Sequence, residues 1–127
     1  MDITIPSRIK GVQELRVTKE LTAAAYGSGL VDVFATPAMI ALMERTSQLS
    51  VQEYLPEDYL TVGTLVNVRH LKATPVGMRV RCESELIEQD RRKLVFRVTA
   101  RDEKGLIGEG IHERFIVTQV DFLKNLE

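Results

Sequence analysis

A single cysteine, Cys82, and no tryptophan occur in the 127 residues. One thiol cannot close an internal disulfide, which excludes a disulfide-stapled secreted scaffold and fits a reducing compartment. Neither sign of charge dominates, since 17 Lys and Arg stand against 18 Asp and Glu. Without a basic stripe there is no electrostatic footprint for a phosphate backbone, so nucleic acid is not an expected partner. The few Phe and Tyr residues are not interleaved with Arg or Lys, which argues against a base-stacking platform. Long apolar runs are missing as well. The longest, Ala38 to Met43, falls far short of the roughly 20 residues that span a bilayer. The opening MDITIPSRIKGV lacks the charged-then-apolar order of a secretory leader. A cytoplasmic protein without membrane contact is expected. No repeat, low-complexity tract or linker divides the chain, so residues 1–127 read as one domain.

Two periodicities organise what is present. Gly11 to Glu20 alternates weakly, with Leu15 and Val17 on one parity, and suggests a first strand; residues 21–32, with two glycines, suit a loop. A helix is expected from Thr36, a good N-cap followed by Pro37 at the first helical position, to about Glu53, ahead of Pro56. Its first two turns are apolar all round, as in a buried helix. Four alternating segments follow, at Thr61–Lys72, Val76–Glu88, Lys93–Arg101 and Leu106–Thr118, joined by short turn-forming stretches. Period-two polarity on successive strands indicates an antiparallel sheet with one buried face. The expected class is α+β: a hotdog fold, an antiparallel sheet wrapped around one long buried helix. Such a sheet leaves edges and an uncovered flank, which pairing with a second copy would remove.

Candidate chemistry is sparse. Glu44 ends the apolar stretch of the helix, where a carboxylate loses hydration and needs a donor; the plainer reading is that it marks the helix's emergence into solvent. His70 shares its parity with Val62, Val66 and Val68, so it is either a satisfied core histidine or a general acid or base reached by substrate. His112 is a weaker candidate, lying opposite an apolar set of Ile107, Ile111, Phe115 and Val117. Two distant histidines without companion ligands make no metal site. Thr36 is explained by N-capping alone, or else its hydroxyl and the first free helix N–H groups receive a carbonyl oxygen. Gly63-Thr64 is a close backbone approach or a bulge. Thr36 and Glu44 lie about 12 Å apart along a helix, too far to bond to each other within one chain. A site shared between two chains, or a substrate that spans both residues, accommodates them, and the shared site is the favoured reading.

Three segments carry a resemblance. VFATPAMIALMERTSQ, then TVGTLVNVRHLKATPVGMRV, then GEGIHERFIV resemble, in order and spacing, the fluoroacetyl-CoA thioesterase-like family of hotdog-fold acyl-CoA thioesterases. The likeness covers roughly residues 8–120. It implies hydrolysis of an acyl-CoA by a homodimer, or a higher oligomer, without metal or organic cofactor. It also implies that Thr36, Glu44 and His70 are catalytic and that Gly63 and Arg114 belong to the active site; Thr64, beside Gly63, and Leu30, in the stretch ahead of Thr36, are further candidates for binding the substrate. In that family phenylalanines ahead of the threonine form an apolar lid, whereas the matching positions here are Gly27 and Leu30. A small acyl group other than the fluorinated one is therefore the expected substrate. The alternative is a non-catalytic acyl-CoA-binding or sensing protein, which would need no Glu44 and His70 together.

Overall fold

The computed structural model describes residues 2–127. In chain order they form β1 (Lys10–Arg16), a 3-10 turn at Lys19–Leu21, α1 (Ala23–Tyr26) and α2 (Thr36–Gln52). Then come β2 (Tyr59–His70), β3 (Arg79–Asp90), β4 (Lys93–Asp102), β5 (Gly105–Thr118) and α3 (Gln119–Lys124). The strands make one antiparallel sheet in the order β1-β3-β4-β5-β2, with β1 and β2 left as edges. This is the hotdog fold, with α2 lying along the concave face. None of the described helices is long and apolar enough to cross a membrane.

Helix α2 seats Ala38, Met39, Leu42, Met43 and Val51 in the core, against Val80, Cys82, Leu86, Phe96, Val98 and Ala100 of β3 and β4. Each large side chain so buried contributes about 1.5–3 kcal/mol. The buried Thr46 and Ser47 satisfy their hydroxyls on the carbonyls of Leu42 and Met43, four residues back, at 2.7 and 2.9 Å. Against them β1 presents Gly11, where a Cβ would fall 2.7 Å from the Thr46 carbonyl and from Ser50 Cβ; the helix packs directly on strand backbone there. At its far end Gln52 donates to the Tyr59 carbonyl at 2.9 Å, tying the helix to the start of β2.

Several expectations need correcting. The helix begins at Thr36 rather than being capped by it: Ala35 is the N-cap, with extended backbone, and no side chain caps the end. Nor is α2 enclosed all round, because Thr36, Pro37 and Ala41 are exposed on one flank. Strand β3 starts at Arg79, since Pro75 to Met78 turn the chain first, with Gly77 at φ 96°. Residues 21–32 are not wholly loop, for Thr22 caps the short helix α1 by accepting from the Ala25 N–H.

The largest correction concerns β5. Its inward residues are Gly108, His112, Arg114 and Ile116, while Ile111, Phe115 and Val117 face outward. Pairing fixes this: His112 lies opposite Phe96, and Arg114 opposite Leu94, both on the buried face of β4. Strand β2 carries the corresponding irregularity. Gly63 pairs with Arg114 but Leu65 with Glu113, so Thr64 is an extra, bulged residue. A bulge reverses parity, and it lets Gly63 and His70 face the same side although one is odd-numbered and the other even.

Candidate active site

The sequence candidates fall into two clusters. At the start of α2, Thr36 Oγ1 and His70 Nδ1 share a hydrogen bond of 2.8 Å, so the threonine hydroxyl serves the histidine and not the helix end. The imidazole meets the Phe34 ring edge-on at 6.5 Å. Its Nε2 is buried and has no hydrogen-bond partner in the chain. Burial lowers the pKa of His70 below the usual histidine value, and the nearby Lys72 backbone opposes that shift only in part. A neutral ring with one uncommitted nitrogen is suited to moving a proton. The Ala35 carbonyl takes the Met39 N–H, so the amides of Thr36 and Ala38 precede the first helical hydrogen bond.

The second cluster lies midway along α2. Glu44 Oε2 faces Arg114 Nη1 at 4.0 Å, an ion pair without a direct hydrogen bond. The arginine is buried and committed on three sides. Its Nε donates to Thr61 Oγ1 at 2.7 Å, its Nη2 to the Thr61 carbonyl at 2.9 Å, and its Nη1 lies 3.2 Å from His112 Nε2. Burial lowers the guanidinium's pKa, and the Glu44 carboxylate opposes that shift. Glu44 itself keeps 41% of its side chain exposed in the single chain, so it stands near the surface beside the buried Arg114 and not in the core. Gly63 makes room for it, since a Cβ there would lie 2.8 Å from Glu44 Oε2 and 3.4 Å from both Arg114 and His112.

Thr64, on the bulge, donates its hydroxyl to the Glu113 carbonyl at 3.2 Å and joins neither cluster. Leu30 is 98% exposed and covers nothing in its own chain. Gly27 ends α1 in a left-handed conformation, φ 71°, with open space where a side chain would be. The structure does not bring Glu44 and His70 together in one chain. Gly63 and His70 pair with Arg114 and Gly108, six residue steps apart along β5, which is about 20 Å at about 3.3 Å each. The imidazole near Glu44 is instead His112, which lies on the inner face of β5 and not on the outer face that the apolar set Ile111, Phe115 and Val117 suggests. The segment GEGIHERFIV carries only a weak signal, because the alternate positions Glu109, Ile111, Glu113 and Phe115 are themselves half acidic and half apolar.

Comparison with known proteins decides the lineage. The model of the FlK family, described as fluoroacetyl-CoA-specific thioesterase, matches residues 17–120. The chain belongs to this family. FlK-family membership makes it a relative of thioester hydrolases, and the solved structures agree. The structure of the fluoroacetyl-CoA thioesterase FlK superposes with a TM-score of 0.91 at 29% identity, over 97% of this chain and 96% of the other. A thioesterase-superfamily member from Thermus thermophilus gives 0.89 at 31% identity, over 97% and 91%. The fluoroacetyl-CoA thioesterase of Streptantibioticus cattleyicolor is 38% identical over 86 residues, 68% of this chain. That alignment spans 62% of the Streptantibioticus protein's length.

Proposed function

We propose that this FlK-family chain, as one hotdog domain, hydrolyses a small acyl-CoA to the free acid and CoA. In this reading it works as a homodimer in which Thr36 and His70 of one subunit face Glu44, Gly63 and Arg114 of the other. The observation that carries the reading is the separation of the two clusters on a strand whose outer edge is unpaired. Leu65 and Val66, near the middle of β2, are exposed, and so is the flank of α2 at Thr36, Pro37 and Ala41. Antiparallel pairing with a second β2 removes a free edge. Centred on Val66 or Asn67, such a pair sets His70 of the partner subunit opposite Val62 or Thr64, on either side of Gly63. Each half-site then meets its complement twice in the dimer.

The chemistry follows from the groups assembled. The thioester carbonyl oxygen lies at the Thr36 hydroxyl and the unbonded amides that open α2, which stabilise the oxyanion as it develops. Glu44, held by Arg114, removes a proton from water as the hydroxyl adds to the carbonyl carbon. The proton taken by Glu44 passes to His70, and the resulting imidazolium gives it to the sulfur as the C–S bond breaks, which returns the ring to its neutral form. In the alternative route a Glu44 oxygen adds to the carbonyl carbon and expels CoA as the thiolate, and water then cleaves the resulting anhydride to the free acid and the Glu44 carboxylate. Both routes require an ionised, correctly aimed Glu44. Gly63→Ala tests that aim: its methyl group displaces the carboxylate, and kcat for CoA release should fall about tenfold or more with the fold retained. Unchanged kcat would mean that Gly63 does not set the position of Glu44.

The substrate is best sought among two-carbon and three-carbon acyl groups. The FlK relatives favour fluoroacetyl-CoA, whereas Gly27 and the exposed Leu30 offer little apolar surface with which to single out fluorine. A panel from acetyl-CoA and fluoroacetyl-CoA to long-chain acyl-CoAs, scored by free CoA, tests both points. The expected result is turnover confined to the short members, with fluoroacetyl-CoA and acetyl-CoA within about tenfold of each other in kcat/KM, the range that a small apolar contact can discriminate. Binding without CoA release across the panel would favour an acyl-CoA sensor instead.

A further inference from the structure

We infer that His112 is a positioning residue of this site, a neutral imidazole that aims Arg114 at Glu44 by accepting a hydrogen bond from it. The inference rests on the proposed function, in which Glu44 is the reacting carboxylate. Both ring nitrogens of His112 have partners, and the partners fix the tautomer. Nδ1 lies 2.8 Å from the Leu65 carbonyl, which can only accept, so Nδ1 carries the hydrogen. Nε2 lies 3.2 Å from Arg114 Nη1, which can only donate, so Nε2 offers its lone pair. The ring is 1% exposed and stacks on Phe96 at 6.3 Å, which leaves it little freedom to turn.

The consequence falls on Arg114. Thr61 takes Nε and Nη2, but these bonds alone leave Nη1, the nitrogen nearest Glu44, without an acceptor closer than the 4.0 Å ion pair. His112 supplies that acceptor and locks the guanidinium plane. The bulge contributes as well, because the irregularity between Gly63 and Leu65 adjoins the carbonyl that receives Nδ1–H. Burial lowers the ring's pKa, and the Arg114 charge acts in the same direction. The Leu65 carbonyl and the Glu44 and Glu113 carboxylates oppose them, and the net direction is downward. Nε2 therefore keeps its lone pair at neutral pH. Protonation would turn it into a donor facing a donor and release Arg114.

The ring's two functions can be separated by substitution. His112→Asn can keep a donor near the Leu65 carbonyl but loses the acceptor for Arg114. His112→Gln can put an amide oxygen near the Nε2 position, and His112→Phe keeps only the stack on Phe96. With acetyl-CoA and fluoroacetyl-CoA as probes, Asn and Phe should each lower kcat about tenfold with KM within about twofold. Gln should recover most of the loss. Nitrogen-15 NMR of the wild-type ring at pH 7 should report a protonated Nδ1 and a bare Nε2, a readout that needs neither turnover nor a folded variant. A protonated Nε2, full activity in Asn and Phe, or equal losses in all three variants overturns the positioning role while the thioesterase reading stands. Wild-type protein that releases no CoA from any short acyl-CoA overturns that reading, and this role with it.

Discussion

Glu44→Gln is expected to slow CoA release by at least ~10²-fold, and His70→Ala to do the same, the scale on which a positioned acid or base contributes. Gln has the shape of Glu44 without its charge, so it can neither take a proton from water nor attack the thioester. The protein should still fold. Arg114 loses its counter-ion but keeps Thr61 and His112 as acceptors, and the Glu44 side chain is open enough for water to screen the pair. Thermal unfolding should therefore change little while the rate collapses. His70→Ala removes the partner of Thr36 and the ring whose Nε2 is uncommitted, and the cost again falls on turnover. Near-normal rates in both folded variants would discard the assignment. Single turnover in oxygen-18 water separates the two roles proposed for Glu44, since label in its carboxylate requires the anhydride route.

The fold was legible in the sequence because its strongest signals are local. Pro37 near the helix start, the stop before Pro56 and the alternation of β3 and β4 depend on neighbours a few residues away. In these segments the inward sets Val80, Cys82, Leu86 and Leu94, Phe96, Val98, Ala100 are the buried ones. The site was legible only in part. Alternation says that two faces differ but not which is the inner one, and in β5 both faces mix polar and apolar residues, with His112 and Arg114 on the inner one and Glu109 and Glu113 on the outer. Ile111, Phe115 and Val117 look like core by hydrophobicity, yet His112 and Arg114 are buried because Glu44, Thr61 and Leu65 supply them with partners. Those partners lie on α2 and β2, tens of residues away, and no window along the chain includes them. The bulge at Thr64 was visible only as the Gly63-Thr64 pair, and without it the facing of His70 relative to Gly63 could not be derived. Thr36 was ambiguous for a related reason: its residue type suits a cap, and only the position of His70 shows that the hydroxyl goes elsewhere.

Mixing two inactive variants should restore activity, which is the sharpest consequence of a site divided between subunits. Let one chain carry Glu44→Gln and the other His70→Ala. In their heterodimer one site combines both substitutions and is dead, while the other combines the intact Glu44 of one subunit with the intact His70 of the other. Random exchange makes about half of the dimers hetero, each with one working site of two, so the mixture should reach about a quarter of wild-type activity. Each variant alone is expected to stay near ~1% or below. The gain is therefore about 25-fold, and it should appear only after subunit exchange, for instance by co-expression or by unfolding and refolding together. If each chain instead held a complete site, every site in the mixture would contain one dead residue and no activity would return. The geometry favours the first outcome, because about 20 Å of β2 lies between the cluster at Gly63 and the one at His70, and α2 holds Thr36 and Glu44 about 12 Å apart. A thioester carbonyl is only about 1.2 Å long, so one chain cannot present both clusters to it, whereas an antiparallel pair of β2 strands can.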